Sequence, residues 1–460
     1  ELMSTALMYF AKALQDGADY AVCNAVFGFG GATALYQSQP LQAQNRCAVV
    51  SRTLLERCRA AAHDPENVPE LLALAAQLCT RPTLIPQALL HYERGICAED
   101  AFSAHGKRAF IMSHVLDMTG APIVLVSAVP VLRSMGYEVL VLGPSDGGSL
   151  HLFLDAGASV ITRSSCRNVS DAWGMALCAD FVIVNTVVMA RAVRALSGTA
   201  VPVLWWLHDA FAGYPHIAHQ IPTQLGENVR VYSVGSHAAN AMHAVRPEFE
   251  IRPLIYGLPD YAAENFVRTD LGYNRGRPLF ATVGSFERRK GHDIFCKAIR
   301  LLPPEVREKA SFLFVGQAAD KEMMDSVRTL TADYPENVFY CKRLTRDEIK
   351  SLMEQCTGLV CASRDDPMPT FVTEGLIFGK PSIVSEHTGT AGLISEGRNG
   401  FVYHNDDPQQ LAVLLEHAIE HPEELASMRT ECRKMYEQYY SKEAFEQTLR
   451  AAVEDLTAKK

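Results

Sequence analysis

No apolar run in this 460-residue chain approaches the roughly 18 residues that suggest a membrane-spanning helix. No pair of its twelve cysteines has C-x-x-C spacing. They are scattered from Cys23 to Cys432 without the close Cys/His pairs a zinc site needs, so no metal site is expected. Reduced thiols filling core positions are the expectation instead. Excess positive charge is also missing. A formal charge of −9 argues against a nucleic-acid surface, while leaving room for a local basic patch that holds a phosphate. The chain opens on Glu1 and shows no signal peptide, so it is expected to be a piece of something longer. Nor is there a credible G-x-G-x-x-G between a strand and a helix, which weighs against a nicotinamide-dependent dehydrogenase. Gly28-Phe-Gly-Gly-Ala-Thr33 resembles that fingerprint only superficially. No acid follows about twenty residues later, and Pro40 soon interrupts any helix, so a turn is expected there.

What is present is ordinary for a soluble globular protein, with 48% hydrophobic and 21% charged residues and length enough for two or three domains. Residues 106–260 alternate apolar strands with amphipathic helices. Lys107–Val115 reads as a strand, and a loop through Thr119–Pro122 leads to a helix ending near Met135. Glu138–Gly143, Phe181–Asn185, Val203–Leu207 and Val229–Val234 follow as strands, mostly of the continuously apolar kind buried in parallel sheets. Leu254–Pro278 turns polar and irregular, a linker signal. A second series then begins, with strands expected at Leu279–Val283, Phe312–Val315, Asn337–Tyr340, Gly358–Cys361 and Pro381–Val384. The last helix is expected to start near Ser441, a good N-cap. The fold class is therefore α/β, with two doubly wound Rossmann-like domains whose loops at the carboxyl ends of the strands matter most.

The most informative segment is Ser363–Leu376. Pro367 and Pro369 push Asp366 and Met368 away from helical geometry, so the first part must be loop. Thr370 can then cap a helix running to about Phe378, whose first-turn N–H groups and dipole favour an anion. Glu374 lies about one turn in. A diphosphate on that helix start, with Asp366 and Glu374 accepting hydrogen bonds from sugar hydroxyls, is the functional reading. A capped surface helix with incidental acids is the bland one. Its partner is the loop Val283–Gly291, where Gly284 permits a tight turn. Lys290, Arg288 or Arg289 could each place a charge on a phosphate, or form a solvated basic loop. A third loop brings His208 to the end of the buried strand Val203–Leu207, where a structural role is the commoner outcome.

In this order the pieces resemble the family 4 retaining glycosyltransferases of GT-B fold, over roughly residues 106–445. The resemblance takes in the Gly120 loop, the His208 loop, Gly284…Lys290 and Asp366…Glu374. It continues into Phe378–Ser385 and Ile394–Phe401. It implies that Glu374 binds ribose hydroxyls and that Asp366 faces the donor sugar. Backbone N–H groups of Thr370, Phe371 and Val372, with Lys290, would hold the diphosphate, supported by Gly284, Ser285 and Arg289. His208 would sit beside the reacting centre, and Gly120 would let backbone approach the donor. Arg343 and Leu344 would border the base. Two positions depart from the pattern. Asp366 stands where the family has Glu, one methylene longer, and Ser285 stands where it often has Arg. No cofactor or metal is implied, because cations and a helix dipole stabilise the leaving diphosphate.

The domains implied are an N-terminal appendage over 1–105, Rossmann-like domains over 106–265 and 266–440, and a C-terminal helix over 441–460 packing back on the first of these. The appendage, mixed α/β or helical, resembles the distal half of a family 2 (GT-A) glycosyltransferase. A helical accessory domain is the other reading. The implied activity is transfer of a hexose-type sugar from a nucleoside-diphosphate sugar to a glycan or lipid-linked hydroxyl acceptor, with retention. The setting is polysaccharide or cell-surface glycan assembly in the cytoplasm, with peripheral contact at the inner face of the membrane. A non-catalytic sugar-nucleotide-binding or scaffolding protein is the alternative that Asp366 and Ser285 motivate.

Overall fold

A computed structural model describes residues 20–29, 32–36, 48–62, 71, 74–75, 77–80, 82–93, 106–145, 147–162, 166–167 and 172–458. Residues 1–19 of the expected appendage lie outside them, as do Gly30 and Gly31. The chain's contacts cluster into two compact units. One comprises residues 1–204, 224–229 and 455–460, and the other 205–223 and 230–454.

In the first unit the strands are β1 Tyr20–Phe29, β2 Ala32–Tyr36, β3 Ala48–Val50, β4 Pro82–Glu93, β5 Lys107–Met112, β6 Tyr137–Gly143, β7 Ser159–Thr162 and β8 Phe181–Asn185. They lie in the order β8-β5-β6-β7-β2-β1-β3, with β4 beside β1. β5 pairs in parallel with β6 and β8, and β6 with β7. All five residues of β8 are buried, as a strand covered on both faces requires. β2 pairs antiparallel with β7, so the N-terminal segment adds strands to what would otherwise be an open edge. β1 and β2 themselves pair antiparallel, with Gly28 opposite Thr33, so that both ends of the segment expected as a turn are strand. The helix Arg52–Ala61, capped by Ser51, buries Leu54 and Cys58 against Leu71 and Ala75. The expected helix after Thr119 is two short ones, Gly120–Val126 and Ala128–Ser134.

In the second unit, β10 Val229–Ser233 and β11 Ile251–Pro253 pair in parallel. The main sheet comprises β12 Leu279–Val283, β13 Ser311–Val315, β14 Val338–Cys341, β15 Gly358–Cys361, β16 Ser382–Ser385 and β17 Gly400–Tyr403. Its order is β14-β13-β12-β15-β16-β17, and every pairing is parallel. Successive strands run outward on one side from β12 and on the other from β15. The loops leaving these two strands therefore part company at the switch point, where an open parallel sheet forms its crevice. The strand β9 Val203–Leu207 and the helix Lys442–Thr457 complete the elements used below. Ser441 caps that last helix, accepting from the Ala444 amide at 3.1 Å.

Six of the described cysteines, Cys58, Cys166, Cys296, Cys356, Cys361 and Cys432, are free and buried, as reduced core thiols. Among the described residues no helix is long and apolar enough to cross a membrane.

One glycine fixes how the switch-point loops meet. Gly291 follows a 3-10 turn, Arg288–Lys290, in the left-handed region at φ 65°, ψ 26°. A Cβ there would lie 1.8 Å from the Ala362 carbonyl oxygen at the end of β15. Gly291→Ala is expected to cost about 1–4 kcal/mol, combining backbone strain with a clash that neighbouring backbone cannot relieve. Gly397→Ala, at φ 67° with open space around its Cβ position, should cost only about 1–2 kcal/mol. Urea unfolding of the two variants would show equal losses if the close approach were unimportant.

Candidate functional site at the sheet switch point

The loop after β12 is short and closely packed. The Gly284 amide donates to the Val315 carbonyl at 2.9 Å, and a Cβ on Gly316 would sit 1.8 Å from the Gly284 oxygen. The loop then makes its 3-10 turn, and Gly291 seats it against the end of β15. Lys290 is thereby delivered to the neighbouring loop, where its Nζ lies 2.6 Å from Asp366 Oδ2. The Asp366 side chain is only 5% exposed and that of Lys290 20%. Removing one partner would leave a buried charge, at a cost of about 3–5 kcal/mol.

Asp366 is held from the backbone as well. Its amide donates to the His387 carbonyl at 3.1 Å, and its carbonyl accepts from Gly389 at 2.9 Å. Arg364 pins the start of the same loop by forking onto Asp293 with two 2.8 Å bonds and reaching Asp406 at 2.7 Å. A bidentate arginine gives this fixed orientation where lysine would not.

The helix Thr370–Ile377 follows. Thr370 does not cap it, contrary to expectation. Pro369, at φ −69° and ψ 108°, takes the cap position, and no side chain caps the first turn. The second proline holds the extended conformation one residue longer than the hydroxyl pattern suggests, making Thr370 the first helical residue. The consequence favours an anion site, since among the described residues no side chain caps the first turn and the amides of Thr370 and Phe371 lead it, whereas the Val372 amide already donates to the Pro369 carbonyl at 3.1 Å. Phe371–Ile377 are all buried, so this helix is anchored along its whole length.

Glu374 sits in that buried run with its side chain 9% exposed, and its Oε1 lies 2.6 Å from Arg346. The Arg346 guanidinium also stacks on the Tyr261 ring at 4.2 Å. Burial pushes the Glu374 carboxyl up, and Arg346 offsets only part of that. Arg346 stands at the start of the helix Arg346–Gln355, which is fixed by a capping box between Thr345 and Glu348. Sequence reading placed Arg343 and Leu344 at the border of the base, just before this helix. Arg343 is exposed, and the arginine that reaches the acid is Arg346. Ser285 and Arg289 are both engaged by Glu287, at 2.5 Å from the Ser285 hydroxyl and 3.1 Å from the guanidinium. Burial raises the Glu287 carboxyl, but Ser285, Arg289 and Lys290 together bring it below the usual range.

His208 follows β9, its ring 4.6 Å from that of Trp206. Trp206 is fully buried, bonded to the Leu254 carbonyl at 2.9 Å and stacked on Phe445. Three residues after His208, the amides of Phe211 and Ala212 donate to Asp365 at 3.1 and 2.9 Å. His237 Nε2 lies 2.7 Å from the same carboxylate. Burial raises the Asp365 carboxyl, but His237 and the two amides outweigh it and hold it below its ordinary value. Sequence reading missed Asp365, His237, Arg346 and Tyr261. The adjacent acids Asp365-Asp366 were the one visible hint. Lys290, Asp366, the helix start and the His208 loop thus belong to one unit, whereas Gly120 belongs to the other, at the first turn of its helix.

Comparison with known proteins gives a consistent picture. Residues 105–248 match the family described as Glycosyl-transferase family 4, and residues 264–435 match Glycosyl transferases group 1. An uncharacterised glycosyltransferase of Methanocaldococcus jannaschii is 26% identical over 197 residues, which is 42% of this chain and 53% of that protein. Spore coat protein SA of Bacillus subtilis is 27% identical over 160 residues, 33% of this chain and 41% of that protein. The chain thus spans about half the length, or less, of these curated relatives. Among solved structures, Anabaena HepE in complex with UDP superposes with a TM-score of 0.61 at 17% identity, covering 76% of this chain and 100% of that one. Sucrose-phosphate synthase from Thermosynechococcus elongatus gives 0.62 at 14%, covering 77% and 100%. At these identities the structures show a shared fold, two parallel-sheet α/β domains of GT-B type.

The environment of Glu374 makes a direct prediction. A raised carboxyl holds its proton to higher pH, so the ionised form is complete only above the ordinary glutamate range and is lost as pH falls through the raised value. Carbon-13 NMR of labelled glutamate should find Glu374 titrating above the other glutamates, and Arg346→Met should move it higher still. A titration in the ordinary range, unmoved by Arg346→Met, would contradict this account.

Proposed function

The chain belongs to the family 4 glycosyltransferases of GT-B fold, and from that premise we propose that it transfers a hexose-type sugar from a nucleoside diphosphate to a hydroxyl acceptor with retention of configuration. The observation that carries the reading is the meeting of Lys290 and Asp366 at the switch point, beside a helix start that no side chain caps. Lys290 and the amides of Thr370 and Phe371 take the diphosphate, the Val372 amide being bonded to the Pro369 carbonyl. Glu374, ionised, accepts from the ribose hydroxyls, and Asp366 accepts from the donor sugar. Related folds crystallised with UDP and with UDP-glucose support a donor of this class.

No side chain is assigned as a covalent nucleophile. The acceptor oxygen bonds to the anomeric carbon on the face from which the bond to the diphosphate breaks, and its proton passes to the departing phosphate oxygen. Lys290 and the helix dipole stabilise the charge that develops there. His208 stands beside the reacting centre as a hydrogen-bonding group. The proposed setting is cytoplasmic glycan assembly, with a glycan or lipid-linked acceptor met at the membrane face.

A panel of UDP, GDP, dTDP and ADP sugars tests this. One donor is expected to raise the melting temperature and to be turned over. Glu374→Gln should weaken binding of that donor about 10–100-fold, the value of a hydrogen bond to a charged group. Asp366→Asn should lower kcat more than it weakens the bare nucleotide. Tight nucleotide binding with no turnover would favour a sugar-nucleotide-binding protein, and absence of both would sink the donor site itself.

A further inference from the structure

The two adjacent acids of the donor loop face different work. Asp366 is directed to Lys290. Asp365 turns to the other flank and accepts three bonds, from the Phe211 amide at 3.1 Å, the Ala212 amide at 2.9 Å and His237 at 2.7 Å. Those partners lie more than a hundred residues earlier in the chain. The Asp365 side chain is 13% exposed and that of His237 5%, so the cluster is a desolvated joint rather than a surface ion pair. Phe211 meets the His237 ring edge-on at a centroid distance of 5.0 Å, closing the joint on its apolar side. On the far side the His387 ring lies 5.9 Å from that of His237.

A second contact reinforces it. Gly235, extended at φ 174° and ψ 175°, heads the helix Ser236–His243. A Cβ there would lie 2.7 Å from the terminal methyl of Met368 and 3.3 Å from the Gly389 carbonyl oxygen. The segments that begin at His208 and at Gly235 therefore both rest on the loop that carries Asp366.

We propose that Asp365 and His237 form a positioning pair, which fixes the turn after His208 against the donor loop and so sets His208 relative to the sugar held by Asp366. The carboxylate satisfies two successive amides of the 3-10 turn Phe211–Gly213, an arrangement that permits one orientation of the turn. His237 holds the carboxylate in place through Oδ1, the oxygen that also accepts from the Phe211 amide. Asp365 touches neither nucleotide nor sugar in this scheme; it acts through the His208 loop. The inference rests on the donor-site reading above and adds the residues that align it with the reacting centre.

The test uses Asp365→Asn, His237→Gln and the double variant, with UDP as the nucleotide probe and the donor from the panel as substrate. Each single variant is expected to lower kcat about 10–100-fold, the scale of a small misplacement of a reacting group. The UDP dissociation constant and donor KM should stay within about threefold, and the double variant should be no worse than the worse single one. Hydrogen exchange at Phe211 and Ala212 should rise at least about tenfold in Asp365→Asn. Unchanged kcat, or losses of UDP binding that match the loss of kcat, would overturn the positioning role. Unchanged exchange would overturn the joint itself, whatever the kinetics. A wild-type chain that binds UDP but turns over no donor would instead sink the transferase reading, and the exchange measurement would still judge the joint.

Discussion

The segment between β15 and the helix Thr370–Ile377 runs largely buried while belonging to neither strand nor helix, so its backbone must find partners elsewhere. It finds them on both sides. The Arg364 amide donates to the Arg289 carbonyl at 2.7 Å, the Asp366 amide to His387, and the Gly389 amide returns to Asp366. These bonds decide where the two aspartates point. Without them two prolines and two acids would form an ordinary flexible loop. With them the loop is a fixed partition, having Lys290 on one flank and the His208 turn on the other.

The electrostatics follow from this partition. Burial alone would disfavour ionised carboxylates at residues 365 and 374. Asp365 is held by a histidine and two amides, Asp366 by an ammonium group and Glu374 by a stacked guanidinium. The pairings at Lys290 and Arg346 can be exchanged for a ligand, because phosphate can replace a carboxylate on a cation and a sugar hydroxyl can replace a cation on a carboxylate. The pairing at Asp365 offers no such exchange, since backbone amides occupy it. That contrast separates groups that bind substrate from a group that holds the scaffold.

Much of this was legible from local pattern. The continuously apolar runs at Phe181–Asn185, Leu279–Val283 and Gly358–Cys361 are strands at those same residues, because a strand buried on both faces admits little else. Lys290, Asp366 and the helix start were legible because glycine and proline punctuate the chain around them. The cap at Thr370 was misread because a hydroxyl before an apolar run is the usual signal, and the conformation of Pro369 overrode it. Arg346 was not legible because a helical pattern does not say which residue of its first turn meets Glu374, 28 positions away. Asp365 and His237 were invisible for the same reason, since their partners are joined only by the folding of the second unit.

The central claim is that the switch-point loops of the second unit form a nucleotide donor site, and a crystal structure with UDP bound tests it most directly. The account predicts ribose hydroxyls within hydrogen-bond reach of Glu374, the diphosphate on the amides of Thr370 and Phe371 with Lys290 turned towards it, and Asp365 still bonded to Phe211 and Ala212. A nucleotide lodged elsewhere, with Lys290 and Asp366 still paired and Glu374 untouched, would contradict it.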